Sequence, residues 1–263
     1  MISKEIIIKS LDDAIVKCSQ GYSLNNKVTA SFDKFHDKTC GKKLRKTELG
    51  CVTDDTGNVL YNPKGNKHEL NKFSWTTVYD LYDEHGELHL THNHPRDNVR
   101  TVAECLSSGD IDCLFETYRP YGKREDGSEG YLVGEEGIFP LKSISCESGN
   151  GTRMTLVRGD NFKHENISEA EKLGRELSDY WYDYHTQYYE LASKIVSDSN
   201  ILDFPNANEF NKYVHNEAIK KVGVFEKNSQ FKDIQKKFSK VDCKLTYNFV
   251  DTYKIGMDEG IEV

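Results

Sequence analysis

Two short segments carry the residue types from which a small metal site can be built. In the first, one residue separates His92 from His94, and in the second, Ser107 precedes Asp110 by three positions. Two imidazole nitrogens and a carboxylate oxygen suit Zn²⁺ well. Three protein ligands leave the fourth tetrahedral position open for water, which is typical of a catalytic zinc site. The pattern therefore predicts a zinc site formed by His92, His94 and Asp110.

Hydrolysis at such a site also needs a carboxylate that accepts a proton from the water without binding the metal. A bound Zn²⁺ lowers the pKa of water from about 15.7 to about 7, so a hydroxide nucleophile forms at neutral pH. Glu48, in the segment Lys46–Val52, is the candidate for this general base. Ser107 would bring a hydroxyl to the same pocket.

Strand geometry separates the neighbouring histidines. If Glu87–His94 is extended, His92 and His94 project from one face, and His89 projects from the other. We therefore expect His89 not to share the metal, and His85, beside a glycine turn, to lie at the surface. The other histidines show no ligand spacing and are expected to be structural: His36, His68, His164, His185 and His215.

Ser107 and Asp110 also have a plain structural interpretation. A helix is predicted from Ser107 or Ser108 to about Tyr118, and serine is a common N-cap residue. A carboxylate in the first helical turn is favoured by the helix dipole. Either residue alone is therefore weak evidence for a metal site, and the prediction depends on the combination.

In order and type, these residues resemble the JAMM/MPN (JAB) metalloprotease family. Its motif is an upstream Glu, then His-x-His-Pro, then Ser-x-x-Asp. The local form is most similar to bacterial and phage members, in which an Asp-Gly-type hairpin follows the Glu strand and the ligand strand ends in His-Asn-His-Pro. The resemblance covers residues 40–142 and implies an α+β fold with a deaminase-like mixed β-sheet flanked by helices.

The resemblance also implies a role for each motif residue. His92, His94 and Asp110 would bind Zn²⁺. Glu48 would activate the water and then protonate the leaving amine, and Ser107 would stabilise the tetrahedral oxyanion opposite the metal. The implied activity is that of a zinc-dependent peptidase or isopeptidase, a deubiquitinase-like hydrolase whose protein or peptide substrate can be a ubiquitin-like conjugate.

The spacing departs from the family pattern at one place. Fifteen residues lie between His94 and Asp110, more than is usual for the family. We interpret the extra residues, within Asp97–Leu106, as an enlarged loop at the rim of the site. Two alternatives stay open: Asp97 or Glu104 supplies the third ligand, or the site is degenerate.

Composition restricts the expected partners. The chain has 263 residues and a net charge of −8, with a pI near 5.6, which argues against a general affinity for nucleic acid or anionic membrane. We interpret the densest basic run, Lys42–Lys46, as a solvated strand edge. No apolar run approaches the ~20 residues of a membrane span, and Met1–Lys9 lacks the apolar core of a signal peptide. The seven cysteines are scattered without a C-x-x-C, so we expect a reducing, cytoplasmic location.

Periodicity and turn signals place the motifs on secondary structure. The metal-site region is expected at residues 1–158, followed by a mostly helical C-terminal region at 159–263. The predicted helices are Ser10–Val16, Trp75–Tyr82, Ser168–Val196 and Asn206–Val222, besides the one that begins at Ser107 or Ser108. The predicted strands are Leu44–Val52, a return strand from Val59 after a turn at Asp54–Asn58, Glu87–Thr91 leading directly into His-x-His, Tyr131–Val133, Gly137–Leu141 and Cys243–Phe249.

The helix Ser168–Val196 carries an aromatic-rich apolar stripe. We expect it to dock on the metal region and to present its remaining tyrosines to a protein substrate or to a second copy of the chain, forming a homo-oligomer. Two other functions stay open. One is a non-catalytic MPN-type interaction or scaffold protein, and the other is a ββα-metal (HNH-like) nuclease, suggested by His-Asn-His and the nearby Asp83–His85.

Overall fold

The structure is a computed structural model that describes residues 24–40, 47–66, 69–70, 72–94, 105–123, 129–133, 137–148 and 151–249. Several predicted features lie outside these residues. They are the helix Ser10–Val16, the basic run Lys42–Lys46, and the alternative ligands Asp97 and Glu104.

The described strands form two sheets. The strands are β1 (Gly50–Asp54), β2 (Val59–Tyr61), β3 (Leu88–Asn93), β4 (Tyr118–Lys123), β5 (Glu129–Val133), β6 (Leu141–Glu147), β7 (Thr152–Arg158) and β8 (Cys243–Phe249). Six of them form a mixed open sheet in the order β2-β1-β3-β6-β7-β8, and β4 pairs with β5 alone. Within the six-stranded sheet β3 and β6 run parallel, and the other neighbours are antiparallel. The chain is therefore an α+β protein in which β3 lies near the centre of the sheet.

Helices cover both faces of this sheet. They are α1 (Asn26–Thr39), α2 (Trp75–His85), α3 (Ser108–Leu114), α4 (Ile167–Asp198), α5 (Ala207–Val222) and α6 (Ser229–Lys240). Helix α1 packs on β1 and β3, while α3 packs on β6 and on α4. Helix α6 packs on β8 and on α4, and α5 packs on α4. The long C-terminal helices therefore lie against the sheet and against the helix that begins the second motif segment.

The two faces of the sheet differ in chemistry. The face toward α3, α4 and α6 is apolar and includes Leu90, Ile144 and Met154. The face toward α1 is polar although it is buried, and its centre is Glu147, which is 0 % exposed. The Glu147 carboxylate accepts hydrogen bonds from Thr91 Oγ1 at 2.8 Å and Arg153 Nε at 2.5 Å. Buried charges are retained in proteins where such partners exist.

Many predicted elements are confirmed. Helices α2, α4 and α5, strand β8 and the turn after Asp54 lie where the sequence predicts them, with α2 extending to His85. The C-terminal region also contributes to the sheet, because β8 pairs with β7 along its whole length. The division at residue 158 stays a prediction.

Three boundaries are wrong. The helix expected to reach Tyr118 ends at Leu114, because Tyr118 is fully buried, stacks on Tyr79 at 4.3 Å between ring centroids and opens β4. The strand expected at Gly137–Leu141 is replaced by an isolated bridge at Ile138, and β6 begins only at Leu141.

The third boundary lies beside the candidate base. The strand expected at Leu44–Val52 begins at Gly50 within the described residues. Just before it, the amide of Glu48 donates to the Asn66 carbonyl, and the Glu48 carbonyl accepts from the Gly65 amide. The backbone of Glu48 is therefore paired with a loop rather than with the sheet.

Among the helices of the described residues, none combines the length and the apolar character that a membrane crossing requires.

Candidate metal centre

The candidate site lies where β3 ends and α3 begins. His92 is in β3 and His94 follows its last residue. The register pairs His92 with Gly50 of β1 and with Cys146 of β6, so His92 projects from the apolar face, toward the side where α3 packs. A central strand flanked by hydrogen-bonded neighbours holds its side chains firmly, which suits a ligand-bearing segment.

The N-terminal turn of α3 holds the third residue of the group. Ser107 is the N-cap, and its Oγ accepts a hydrogen bond from the Asp110 amide at 3.1 Å. In return, Asp110 Oδ2 accepts from the Ser107 amide at 2.7 Å and from the Ser107 hydroxyl at 2.8 Å. This reciprocal capping box satisfies helix-end donors and fixes the direction of the carboxylate. The structural interpretation of both residues is thus confirmed, and it also presents Asp110 to the histidines.

Distances within the group fit a small metal ion. His92 Nε2 lies 2.9 Å from His94 Nε2 and 3.1 Å from Asp110 Oδ1, and His94 Nε2 lies 3.6 Å from Asp110 Oδ2. Ligand atoms about 2.0–2.1 Å from a tetrahedral Zn²⁺ are roughly 3.4 Å from one another, so the measured separations bracket that value. Two imidazole nitrogens and a carboxylate are also a donor set that zinc accepts. The group could therefore hold a metal.

The charges around Asp110 keep its carboxylate ionised, as an anionic metal ligand must be. Burial by itself would raise the pKa of Asp110, but the charges and hydrogen bonds of His92 and His94 outweigh burial and hold that pKa well below its usual range. The carboxylate is therefore ionised at neutral pH.

The second ring nitrogens of the two histidines have different surroundings. His94 Nδ1 lies 3.5 Å from Cys146 Sγ. His92 Nδ1 is buried and has no hydrogen-bond partner among the described residues. Metal-binding histidines usually donate this second N–H to an acceptor, which orients the ring. Among the described residues, the ring contacts of His92 are instead on its Nε2 side, to His94 and Asp110.

Glu48 lies beside the group without joining it. Its side chain is 8 % exposed, and burial raises the pKa of Glu48, while His92 and His94 oppose that rise. Asp110 adds a further increase through charge repulsion, so the Glu48 carboxyl interacts with all three members of the group. A carboxylate near the ligands, with a raised pKa, has the properties of a general base.

Sequence reasoning missed Asn93, which lies between the two histidines. Asn93 is 1 % exposed, and its Oδ1 accepts a hydrogen bond from the Leu49 amide at 2.8 Å. Its Nδ2 donates to the Thr47 carbonyl at 3.4 Å, and its own amide donates to the Leu49 carbonyl at 3.2 Å. The residues on both sides of Glu48 are therefore bonded to the ligand strand. The available signal was an asparagine between the two histidines, which strand alternation places on the face opposite the candidate ligands.

The opposite face carries a second hydrolase-like arrangement. His89 Nδ1 lies 2.8 Å from Ser143 Oγ, and His89 Nε2 lies 2.7 Å from Asp55 Oδ1. A serine nucleophile must reach its substrate, but Ser143 is 0 % exposed. This arrangement is a structural link, and the expectation that His89 lies away from the other two histidines is confirmed.

Comparisons with known proteins were negative: no protein-family model, no curated protein and no solved structure matches the chain.

Proposed function

We propose that this chain is a zinc-dependent peptidase or isopeptidase of the JAMM/MPN type. One observation carries the proposal: ligand atoms of His92, His94 and Asp110, from two separate segments, lie within 4.8 Å of one another. The buried Glu48 carboxyl interacts electrostatically with all three. The proposal extends to the fold, in which a mixed sheet flanked by helices would be a variant of the MPN architecture with added C-terminal helices.

Each residue has a task in this proposal. His92, His94 and Asp110 hold the ion through Nε2, Nε2 and a carboxylate oxygen. When bound, Zn²⁺ supplies a Lewis acid for the scissile carbonyl and lowers the pKa of water to about 7. Glu48 accepts the proton of the attacking water and passes it to the leaving amine.

Ser107 is the proposed donor to the oxyanion, and it would have to change its hydrogen bond to act. Its hydroxyl donates to Asp110 Oδ2. Rotation of this hydroxyl toward the substrate would leave Asp110 bonded to the Ser107 amide, which also donates to Oδ2. The capping box therefore lets the hydroxyl leave while the carboxylate stays in place.

The proposed substrate is a peptide or an isopeptide, including a ubiquitin-like conjugate. The test uses zinc-loaded protein, a fluorogenic peptide set and a ubiquitin-like isopeptide, each with and without a chelator. Glu48→Gln should keep its metal and lose about 10²–10⁴-fold in kcat, the usual contribution of general acid–base catalysis. Glu84→Gln, an exposed carboxylate on α2, is the matched control and should behave as wild type.

Other outcomes would select the alternatives. A metal-loaded protein with no hydrolysis of any peptide or isopeptide would favour the scaffold function. Metal-dependent nicking of duplex DNA would favour the nuclease. A Glu48→Gln variant with full peptidase activity would refute the role of Glu48.

A further inference from the structure

A cavity of about 400 Å³ lies directly beside the candidate metal group. One wall is formed by His94 and by the turn Leu106–Ser108 that leads into α3. The opposite wall belongs to α4 and contains Ser178, Asp179, Trp181 and Tyr182. Pockets that hold small ligands run from about 300 to 1,000 Å³, so this one has room for a long side chain with its adjoining backbone.

The α4 wall is a single stripe of that helix. Ser178 and Tyr182 are four residues apart, and Ser178 and Trp181 are three apart, so their side chains are neighbours on the helix surface. This stripe differs from the packing face of α4, where Tyr180 and Tyr184 are buried and donate their hydroxyl hydrogens to backbone carbonyls.

Two features of the stripe point to a ligand. Tyr182 lines the cavity and is 67 % exposed, so its ring is accessible to a molecule that enters the cavity. The Ser178 hydroxyl oxygen is buried and has no hydrogen-bond partner among the described residues. Buried polar groups are normally satisfied, so this hydroxyl can bond to a molecule that enters the cavity.

The charge of the lining indicates which molecule that is. Asp179 contributes a carboxylate, and none of the described residues that line the cavity is a lysine or an arginine. Arg175, one turn earlier on α4, interacts electrostatically with Asp112 of α3. Indole and phenol rings attract cations to their faces, and a carboxylate adds a direct ion pair. The cavity is therefore complementary to a positive charge on an apolar stem.

We propose that this cavity binds a lysine or arginine side chain of the peptide substrate, next to the bond that is hydrolysed. This inference rests on the proposed peptidase function, because His94, one of the three candidate ligands, also lines the cavity. Asp179 pairs with the cationic end, and Trp181 and Tyr182 flank the aliphatic stem. Helix α4 thus determines the side-chain specificity of a site whose proposed metal ligands lie at the end of β3 and in α3.

The kinetic test compares fluorogenic peptides that differ only at the residue beside the scissile bond: lysine, norleucine or glutamate. Wild type should prefer lysine over norleucine by about tenfold in kcat/KM, as expected for one exposed ion pair combined with a cation–π contact. Asp179→Asn should remove most of this preference and leave the norleucine peptide unchanged. Asp183→Asn, an exposed carboxylate one turn further along α4, is the control and should keep the preference.

A binding test separates the pocket from the chemistry. The chain has two tryptophans, so Trp75→Phe leaves Trp181 as the fluorescent reporter. In a Trp75→Phe, Glu48→Gln protein, acetyl-Gly-Lys-Gly amide should change the Trp181 emission at about tenfold lower concentration than the norleucine analogue.

The two tests fail in distinguishable ways. Equal kinetics for lysine and norleucine, or an unchanged lysine preference in Asp179→Asn, overturns the pocket while leaving the peptidase intact. If no peptide is cleaved but Trp181 still responds selectively to the lysine peptide, the peptidase fails and the pocket stands. Equal responses to both peptides overturn the pocket whatever the activity.

Discussion

Asn93 accepts a hydrogen bond from the backbone amide of Leu49 at 2.8 Å, which joins the residue between the two candidate histidine ligands to the residue that follows the candidate base. The Asn93 side chain also contacts the Thr47 carbonyl, on the other side of Glu48. Among the hydrogen bonds of the described residues, these two and the bond from the Asn93 amide to the Leu49 carbonyl link the segment Thr47–Leu49 to β3. We therefore expect Asn93 to position Glu48 relative to the candidate metal ligands.

Replacing Asn93 with Ala should therefore reduce turnover through Glu48. We expect kcat to fall about 10–100-fold with KM and zinc content unchanged, since a small displacement of a catalytic group carries a cost of that order. Loss of the side chain also leaves the Leu49 amide unpaired, which should lower the free energy of unfolding by about 1–3 kcal/mol. Steady-state kinetics, elemental analysis and urea denaturation measure the three quantities.

A double-mutant cycle distinguishes positioning from a general loss of structure. If Asn93 acts through Glu48, adding Asn93→Ala to Glu48→Gln should cause no further loss of kcat. Additive losses would show that Asn93 does not act through the base.

Ser143 provides a test against a serine-hydrolase mechanism. Ser143→Ala should leave peptide hydrolysis within about twofold of wild type, because the Ser143 hydroxyl bonds to His89 and is buried away from any substrate. The variant should lose about 1–3 kcal/mol of stability, since it removes a partner of a buried ring nitrogen. If this substitution inactivates the protein, or if a fluorophosphonate labels the wild type covalently, the reaction takes place at Ser143, on the opposite face of the sheet.

The pH dependence of stability tests the link between Asp55 and His89. The hydrogen bond from His89 lowers the pKa of Asp55 below its ordinary value, while partial burial opposes that effect. A depressed folded pKa contributes stability above the unfolded pKa of about 3.9 and loses it as the pH falls through the folded pKa. Asp55→Asn should thus destabilise at pH 7, by less than about 1 kcal/mol because the Asp55 side chain is 60 % exposed.

Urea denaturation at pH 7 and near pH 3 measures this effect. The difference between wild type and Asp55→Asn should narrow at the lower pH, whereas Asp183→Asn should match wild type at both. A difference that is the same at both pH values would mean that the ionised carboxylate contributes nothing.

The buried ion pairs beneath α1 should matter more for stability than for activity. Glu147→Ala removes the carboxylate that pairs with Arg153 and bonds to Thr91, and breaking a buried pair typically costs about 3–5 kcal/mol. Because Asp33 also pairs with Arg153 at 2.9 Å, we expect a loss of about 3 kcal/mol. Denaturation curves of Glu147→Ala and of the exposed Glu84→Ala provide the comparison, and equal midpoints would contradict a stabilising role.

The residues of the candidate site could be predicted because the relevant information is local. Alternation along one strand places His92 and His94 on the same face, and the Ser-x-x-Asp spacing fits a helix N-terminus. The sequence left open which carboxylate is the third candidate ligand. The structure places Asp110 against both histidines. Local patterns could not reveal that Asn93 links the ligand strand to the segment around Glu48, because its hydrogen bonds reach 44 and 46 residues back along the chain.

The two missed central strands share a physical cause. Strands β6 and β7 have buried polar residues such as Ser145, Glu147 and Thr155 on the face toward α1, so they lack the apolar pattern that marks a central strand. The pairs that satisfy these groups are distant in sequence and appear only in the folded chain. Helix α1 was missed although its buried face includes Val28, Phe32 and Phe35 at helical spacing, so a local signal for it was present.

Zinc content is the most direct test of the central claim, and it requires no substrate. Wild type and the surface control His85→Ala should each bind about one zinc per chain after zinc loading and removal of excess metal. His92→Ala, His94→Ala and Asp110→Ala should each lose most of that zinc while keeping the circular dichroism spectrum of wild type, because each removes one of three ligands. Stoichiometric zinc in all three variants, or none in the wild type, would contradict the metal site and with it the proposed hydrolase.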